Sequence, residues 1–323
     1  MTDDQQTAAA GGSGSRLPDL TTLVTSADQG LHPWIRQRVR QAERAAALAA
    51  EIGFWLNTAA QDLDHARGFA AHAPSIGQPV SAYLDRWLPL SPDASVLAGP
   101  RYLGRDPELP FVGITAADRV LGPADKESLI GLARTQFAPF QPKFVLLSSS
   151  TPLSAWSGCR SEKRLLVGEI GELRSRPVTP GLDTRPHHVD GYPGYRAIYE
   201  RDQAADRVRR RWAQPEDRED FVRLAEAGMI FDVLVDGEWA GVVAAEIESK
   251  GGIHGAVVQE LTLDQRFRGR GYGNQLSLLL ARALPLDDDQ LLLGTIHTDN
   301  VTAYRSALRA GRIDVGGEIL IPL

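Results

Sequence analysis

Cysteine is nearly absent: the 323-residue chain has one, Cys159. That excludes an internal disulfide and any cysteine-cluster metal site and fits a reducing compartment. In its setting, Trp156-Ser157-Gly158-Cys159-Arg160, the thiol carries no family signature of a nucleophile. Long apolar runs are missing too, and none approaches the roughly 20 residues of a membrane span. Positive charge is in deficit, and a formal net charge of -6 argues against general nucleic-acid binding. The local exception is the cluster Arg207, Arg209, Arg210 and Arg211, a pattern that marks a solvated helix face more often than a site for RNA or an acidic acceptor. Residues 1–16 lack the basic start and apolar core of a secretory signal. Residues 1–30 read as a disordered tail, and the chain as a cytoplasmic protein.

A hydrophobic content of 43% supports one large or two ordinary domains, and the pattern divides into 31–180 and 181–323. In the first part, Trp34, Ile35, Val39, Ala42, Ala46 and Ala49 recur at helical spacing from residue 32; Gly53 interrupts, and a second helix is predicted over 54–71. Strands are predicted at 95–102, 110–115 and 143–148, with helices at 124–137 and 161–173. The Pro- and Gly-rich stretch 174–195 reads as a linker and loop, with the boundary near 180. In the second part, a hairpin is predicted over 229–236 and 239–248, and strands at 290–298 and 313–321.

The densest information lies in 260–274, ELTLDQRFRGRGYGN. A short apolar run leads into alternate glycines, and a helix-patterned segment follows over 272–284. A strand, a glycine turn and a helix N-terminus in that order leave several backbone N–H groups at the positive end of a helix dipole, where a phosphate or diphosphate binds well. A phosphate-binding P-loop would need Lys and then Ser or Thr after the last glycine, and here Asn274 and Gln275 follow Gly273. A dinucleotide fingerprint would need G-x-G-x-x-G early in a βαβ unit, whereas this run is G-x-G-x-G.

The run Arg268-Gly269-Arg270-Gly271-Tyr272-Gly273 resembles the acyl-coenzyme A signature of the GNAT superfamily of N-acetyltransferases, in which Arg or Gln is followed by x-x-G-x-G or x-x-G-x-A. Upstream, Glu260, Leu261, Thr262 and Leu263 look like the family's fourth strand. Downstream, 290–298 looks like its fifth strand and Asn300-Val301-Thr302-Ala303 like the start of the next helix. The resemblance covers roughly the last 130 residues and implies an α/β fold with a mixed sheet, acetyl-coenzyme A as cosubstrate, and an amine acceptor in a small molecule or a protein. It further implies that backbone groups of Leu261, Thr262 and Leu263 hold the pantetheine arm and polarise the thioester carbonyl. Residues Arg268 to Gly273 would hold the diphosphate, and the Asn300 side chain would reach the pantetheine.

Amide formation needs a base, because an acceptor amine with a pKa near ~10 is protonated at neutral pH. Glu260 matches the position that serves many members as base, and a partly apolar cleft would raise its pKa to a useful value; the plainer reading pairs it with an arginine. The acid departs from the family, since the usual Tyr falls at Ala307. Tyr304 is a helical neighbour of that place, with His297 and Ser306 as weaker candidates. The missing Tyr keeps open a non-catalytic acyl-coenzyme A sensor, and the arginine cluster keeps open a longer acyl-coenzyme A or aminoacyl-tRNA as donor.

Residues from about 80 to 175 repeat the order strand, strand, helix, strand, helix, which is either a degenerate GNAT-like copy without the glycine turn or an unrelated α/β domain. Gly311 is followed by Arg312, where most members have an aromatic, and only one strand-like run remains. Either the sheet is trimmed or the N-terminal half supplies its edge. His187-His188-Val189-Asp190 lacks metal-ligand spacing. It reads as a loop near the acceptor mouth, which the resemblance to the family's first helices implies is lined by Tyr192, Tyr195 and Arg196. Acceptor identity and oligomeric state stay open.

Overall fold

The computed structural model describes residues 18–188, 191–205 and 213–323. Three helices open the chain: α1 (Leu20–Gly30), α2 (Pro33–Arg38) and α3 (Gln41–Phe54). Asp19 caps α1 by accepting from the Thr22 amide at 2.7 Å, and Leu23 packs against Leu48 and Ile52. Residues 20–30 are therefore folded, which corrects the expected 30-residue tail. The helical pattern breaks at Val39 and Arg40, which are extended, and Gly53 lies inside α3. A glycine costs a helix only about 1 kcal/mol, too little to stop one anchored by Leu48 and Ile52. The arginine cluster at 207–211 and Asp190 lie outside the described residues.

The rest of the N-terminal half comprises α4 (Leu63–Ala70), β1 (Arg86–Ser91), β2 (Ala94–Tyr102), β3 (Pro110–Ala117), α5 (Lys126–Gln136), β4 (Phe144–Ser149), β5 (Arg160–Glu169) and α6 (Ile170–Arg174). The C-terminal half has β6 (Leu182–Pro186), α7 (Tyr192–Ala205), α8 (Arg218–Glu226), β7 (Ile230–Val235), β8 (Glu238–Lys250), β9 (Ile253–Leu263), α9 (Leu276–Ala283), β10 (Leu291–His297), α10 (Val301–Arg309) and β11 (Ile313–Pro322). Two further expectations are corrected. The helix predicted over 161–173 is mostly β5: its consecutive apolar residues suit a strand buried on both faces as well as a helix, and pairing with β10 and β11 decides for the strand. The presumed linker holds β6 and the start of α7, because Pro186 is tolerated on a strand at the sheet edge.

The described strands form one mixed 11-stranded sheet in the order β1-β2-β3-β4-β11-β5-β10-β9-β8-β7-β6. Each half runs as an antiparallel meander and then crosses through a helix to a parallel partner, β3 to β4 over α5 and β9 to β10 over α9. The N-terminal half thus repeats the strand order of the C-terminal half without its glycine turn. At the centre the halves exchange strands. β5 pairs antiparallel with β10, and β11 pairs antiparallel with both β4 and β5. The C-terminal sheet is not trimmed, since β5 supplies the place beside β10. Arg312 lies buried across this seam, donating to the Leu166 carbonyl at 2.8 Å and the Gly294 carbonyl at 3.2 Å. On one side of the seam, Ile35 of α2 packs with Val167, Val257, Leu293 and Val315.

The parallel pair β9 and β10 is in register only at Ala256 with Leu292 and Val257 with Leu293. Beyond Val257, β9 stays with β8 through a bulge at Gln259 and parts from β10. On the side away from β8, the backbone of Leu261 and Thr262 has no neighbour among the described strands.

Candidate functional site

The strand β9 ends at Leu263 and the chain turns. Buried Asp264 braces the turn, accepting from the Arg266 amide at 3.0 Å and from Arg201 of α7 at 2.8 Å. Arg268 braces it too: Nε and Nη2 donate to the Leu263 carbonyl at 2.8 and 2.6 Å, and Nη1 donates to Asp202 at 2.8 Å. Arg268 and the Leu263 carbonyl therefore shape the loop, and Arg270 is exposed. Gly269 and Gly271 adopt φ of 78° and 85°, a region open to glycine at little cost. A Cβ at either would meet no atom within 4 Å, and one at Gly273 would meet only Ser306 Oγ at 3.8 Å. Among the described residues, no backbone carbonyl accepts from the amides of Gly269 to Gly273. Residues Tyr272–Gln275 form a tight 3-10 turn before α9, so the regular helix starts later than the sequence predicts. The glycines of the bend thus stand in open surroundings.

Glu260 is 3% exposed, and among the described residues no arginine pairs with it. Two tyrosines of α7 hold it: Tyr195 donates to Oε1 at 2.5 Å, and Tyr199 donates to Oε1 at 2.9 Å and Oε2 at 2.7 Å. Burial pushes the Glu260 carboxyl up to about 8 against the opposing pull of the two phenols, and nearby Glu216 adds to the rise. Both phenols are themselves held far above their ordinary range, first by burial and then by the carboxylate they face, so they stay donors. Tyr195 also accepts from the Glu216 amide at 2.7 Å. The sequence places Tyr195 at an acceptor mouth, and the structure puts it against Glu260. Tyr199 was missed, although Tyr192, Tyr195 and Tyr199 at spacings of three and four mark one helix face.

Tyr304 does not join this group. Its hydroxyl donates to Asp314 Oδ2 at 2.8 Å, and Asp314 is gripped by Arg164 of β5 at 3.0 and 2.7 Å. Burial, then the Asp314 hydrogen bond, pushes this phenol up to about 12. The contacts tie α10 to the seam. We expect Tyr304→Phe to cost about 1 kcal/mol in chemical denaturation and to leave turnover unchanged. A fall in kcat of ~10²-fold would instead restore Tyr304 as the acid. Asn300 caps α10, its Oδ1 accepting from the Ala303 amide at 3.2 Å, while Thr298 donates elsewhere, to the Ser161 carbonyl at 2.8 Å. His297 Nε2 lies 3.2 Å from Glu162 Oε1, and its Nδ1 accepts from the Asp299 amide at 3.2 Å. Burial pushes the Cys159 thiol up, away from thiolate chemistry.

No protein-family model matches the chain, and no curated protein matches it. Among solved structures, the chain is similar to a GNAT-family acetyltransferase from Colwellia psychrerythraea at 11% identity and a TM-score of 0.46, covering 71% of this chain and 85% of that one. It is similar to a GCN5-related N-acetyltransferase from Sphaerobacter thermophilus at 16% identity and a TM-score of 0.40, covering 79% and 89% of the two chains. A tandem GNAT protein from the clavulanic acid biosynthesis pathway matches at 12% identity and a TM-score of 0.38, over 71% of this chain and 78% of that one.

Proposed function

We propose that the chain is a GNAT-type acyltransferase that moves an acetyl group from acetyl-coenzyme A to an amine by direct attack. The observation that carries this reading is the bend at Gly269 to Gly273, whose amides are unused and whose glycines face empty space beside a strand that has parted from its neighbour. Those amides, with the helix behind them, suit a diphosphate. The unpaired backbone edge of Leu261 and Thr262 suits the amide groups of a pantetheine arm. Asn300 uses only its Oδ1 as a cap, so its amide nitrogen remains for the same arm. When bound, the thioester supplies the activated acyl group. Glu260 takes the acceptor's proton, directly or through water, and Tyr195 and Tyr199 fix the orientation of its carboxyl.

The competing reading is an acyl-coenzyme A sensor without turnover, and the placement of Glu260 one residue before the open strand edge of Leu261 and Thr262, with its carboxyl held by two tyrosines, supports the enzyme. A thermal-shift assay of the full chain with acetyl-coenzyme A tests binding. A ligand at 100 times its dissociation constant stabilises by about 2.7 kcal/mol, so a clear rise in the unfolding temperature is expected. Turnover of acetyl-coenzyme A with an amine panel then separates enzyme from sensor. A transition that the thioester leaves unmoved would remove both readings.

A further inference from the structure

A second polar site lies at the start of α7. A cleft of about 310 Å³ there is lined by Arg185, His187, His188, Gly191, Asp232 and Trp239, among others. The His187 side chain is 2% exposed, and its Nδ1 lies 2.6 Å from Asp232 Oδ1. Asp232 also accepts from Arg185 Nε at 3.0 Å and from Trp239 Nε1 at 2.8 Å. Burial alone would raise this carboxyl, but the bonds from His187, Arg185 and Trp239 outweigh it and hold it below the usual range. An ionised Asp232 can only accept, so His187 Nδ1 carries the proton of that bond and Nε2 is the ring atom left to a ligand. That Nε2 is buried and has no hydrogen-bond partner among the described residues. An unpaired buried polar atom costs about 1–3 kcal/mol, an arrangement found where a ligand completes the bonding. Gly191 packs against this edge of the ring, where a Cβ would stand 2.7 Å from Nε2, so only a glycine fits there. Arg185 is 56% exposed and spends only Nε on Asp232, which leaves both Nη groups for a ligand.

We propose that this cleft binds the head group of an α-amino acid that carries a second amine on its side chain. The α-amine donates to His187 Nε2, the carboxylate accepts from the Arg185 Nη groups, and the aliphatic part lies beside Trp239. Asp232 pairs with Val242, and Val242 with Thr262, so Asp232 shares a sheet face with Glu260, two strand spacings across and two residues along, or ~12 Å away. The helix α7 spans the interval, bordering the cleft at its start and reaching Glu260 through Tyr195 and Tyr199. A molecule anchored at His187 extends toward Glu260 and presents its far amine there. That last step rests on the acyltransferase reading; the binding does not.

The test is calorimetric titration of the full chain with L-lysine and L-ornithine, in the absence of any thioester. Their carboxamide and Nα-acetyl forms complete the panel. The free amino acids are expected to bind, and masking either the carboxylate or the α-amine weakens binding by roughly tenfold, the loss of one charge-assisted hydrogen bond. His187→Asn keeps a donor to Asp232 but lacks Nε2, so it binds the free amino acid roughly tenfold more weakly and no longer distinguishes the Nα-acetyl form. Arg185→Met alters an exposed side chain, keeps the fold in case the first variant does not, and loses the preference for carboxylate over carboxamide. Absence of binding by the whole panel, or binding indifferent to both variants, overturns the proposal. A chain that binds the amino acids but no thioester would fail the acyltransferase reading and leave this site standing.

Discussion

Glu260→Gln is expected to lower kcat/KM for acyl transfer by ~10²–10⁴-fold, the usual loss with a general base, while the affinity for acetyl-coenzyme A stays as it was. Gln keeps the volume and can still accept from one tyrosine, so the pocket formed by Tyr195 and Tyr199 persists. With its carboxyl pushed up to about 8, Glu260 of the native chain is mostly protonated at neutral pH. The native kcat/KM therefore climbs with pH and levels above about 8, to the extent that Glu260 sets the limb. The acceptor amine adds its own rise nearer pH ~10, which both forms share, so the difference between the two profiles isolates Glu260. Retention of full activity by the Gln variant, with the same profile, would remove Glu260 from the chemistry.

The same carboxyl ties stability to pH with a definite sign. In the unfolded chain it sheds its proton near 4.5, and in the folded chain it holds the proton up to about 8. Between those values the unfolded state binds fewer protons, so stability falls as pH rises, by up to about 1.4 kcal/mol per unit, and the loss is complete above the folded value. This contribution is absent from Glu260→Gln, whose denaturation midpoint should change less across that window.

The glycine bend was legible because it is written within six successive positions: Gly269 and Gly271 take a backbone geometry that other residues disfavour, and Gly273 follows in the turn before α9. The strand before it and the helix after it could be read from periodicity for the same local reason. What the sequence concealed is long-range. Nothing local marks Arg160–Glu169 as the strand that completes the C-terminal sheet, since its partners β10 and β11 lie more than 100 residues away in the chain. A buried run of apolar residues has no period to distinguish strand from helix. The clamp on Glu260 comes from α7, at a separation of 61 and 65 residues, and no spacing rule links the two. Tyr304 and Asn300 were visible as residues but not as partners: Asp314 and the Ala303 amide claim them through contacts that only the fold creates. The pairing of His187 with Asp232 is hidden likewise, because the residues lie 45 apart in sequence and only the pairing of β6 with β7 brings them together.

Gly271→Ala is expected to weaken coenzyme A binding by ~10²-fold, the equivalent of about two charge-assisted hydrogen bonds. A Cβ there meets no protein atom within 4 Å, so the fold has room for it; the space it enters is the space a diphosphate would occupy. The φ of 85° adds a backbone cost of about 1–2 kcal/mol, which denaturation should record as a modest loss of stability. Gly269→Ala is the control, because at φ 78°, with equally open surroundings, it carries a similar backbone cost at a position the acyl-coenzyme A signature does not require to be glycine. Matched stability losses with a much larger affinity loss at Gly271 would locate the diphosphate at this bend. Equal affinity losses would mean that loop strain alone accounts for the effect, and native affinity in Gly271→Ala would place the coenzyme elsewhere on the chain and remove the basis for reading Glu260 as its base.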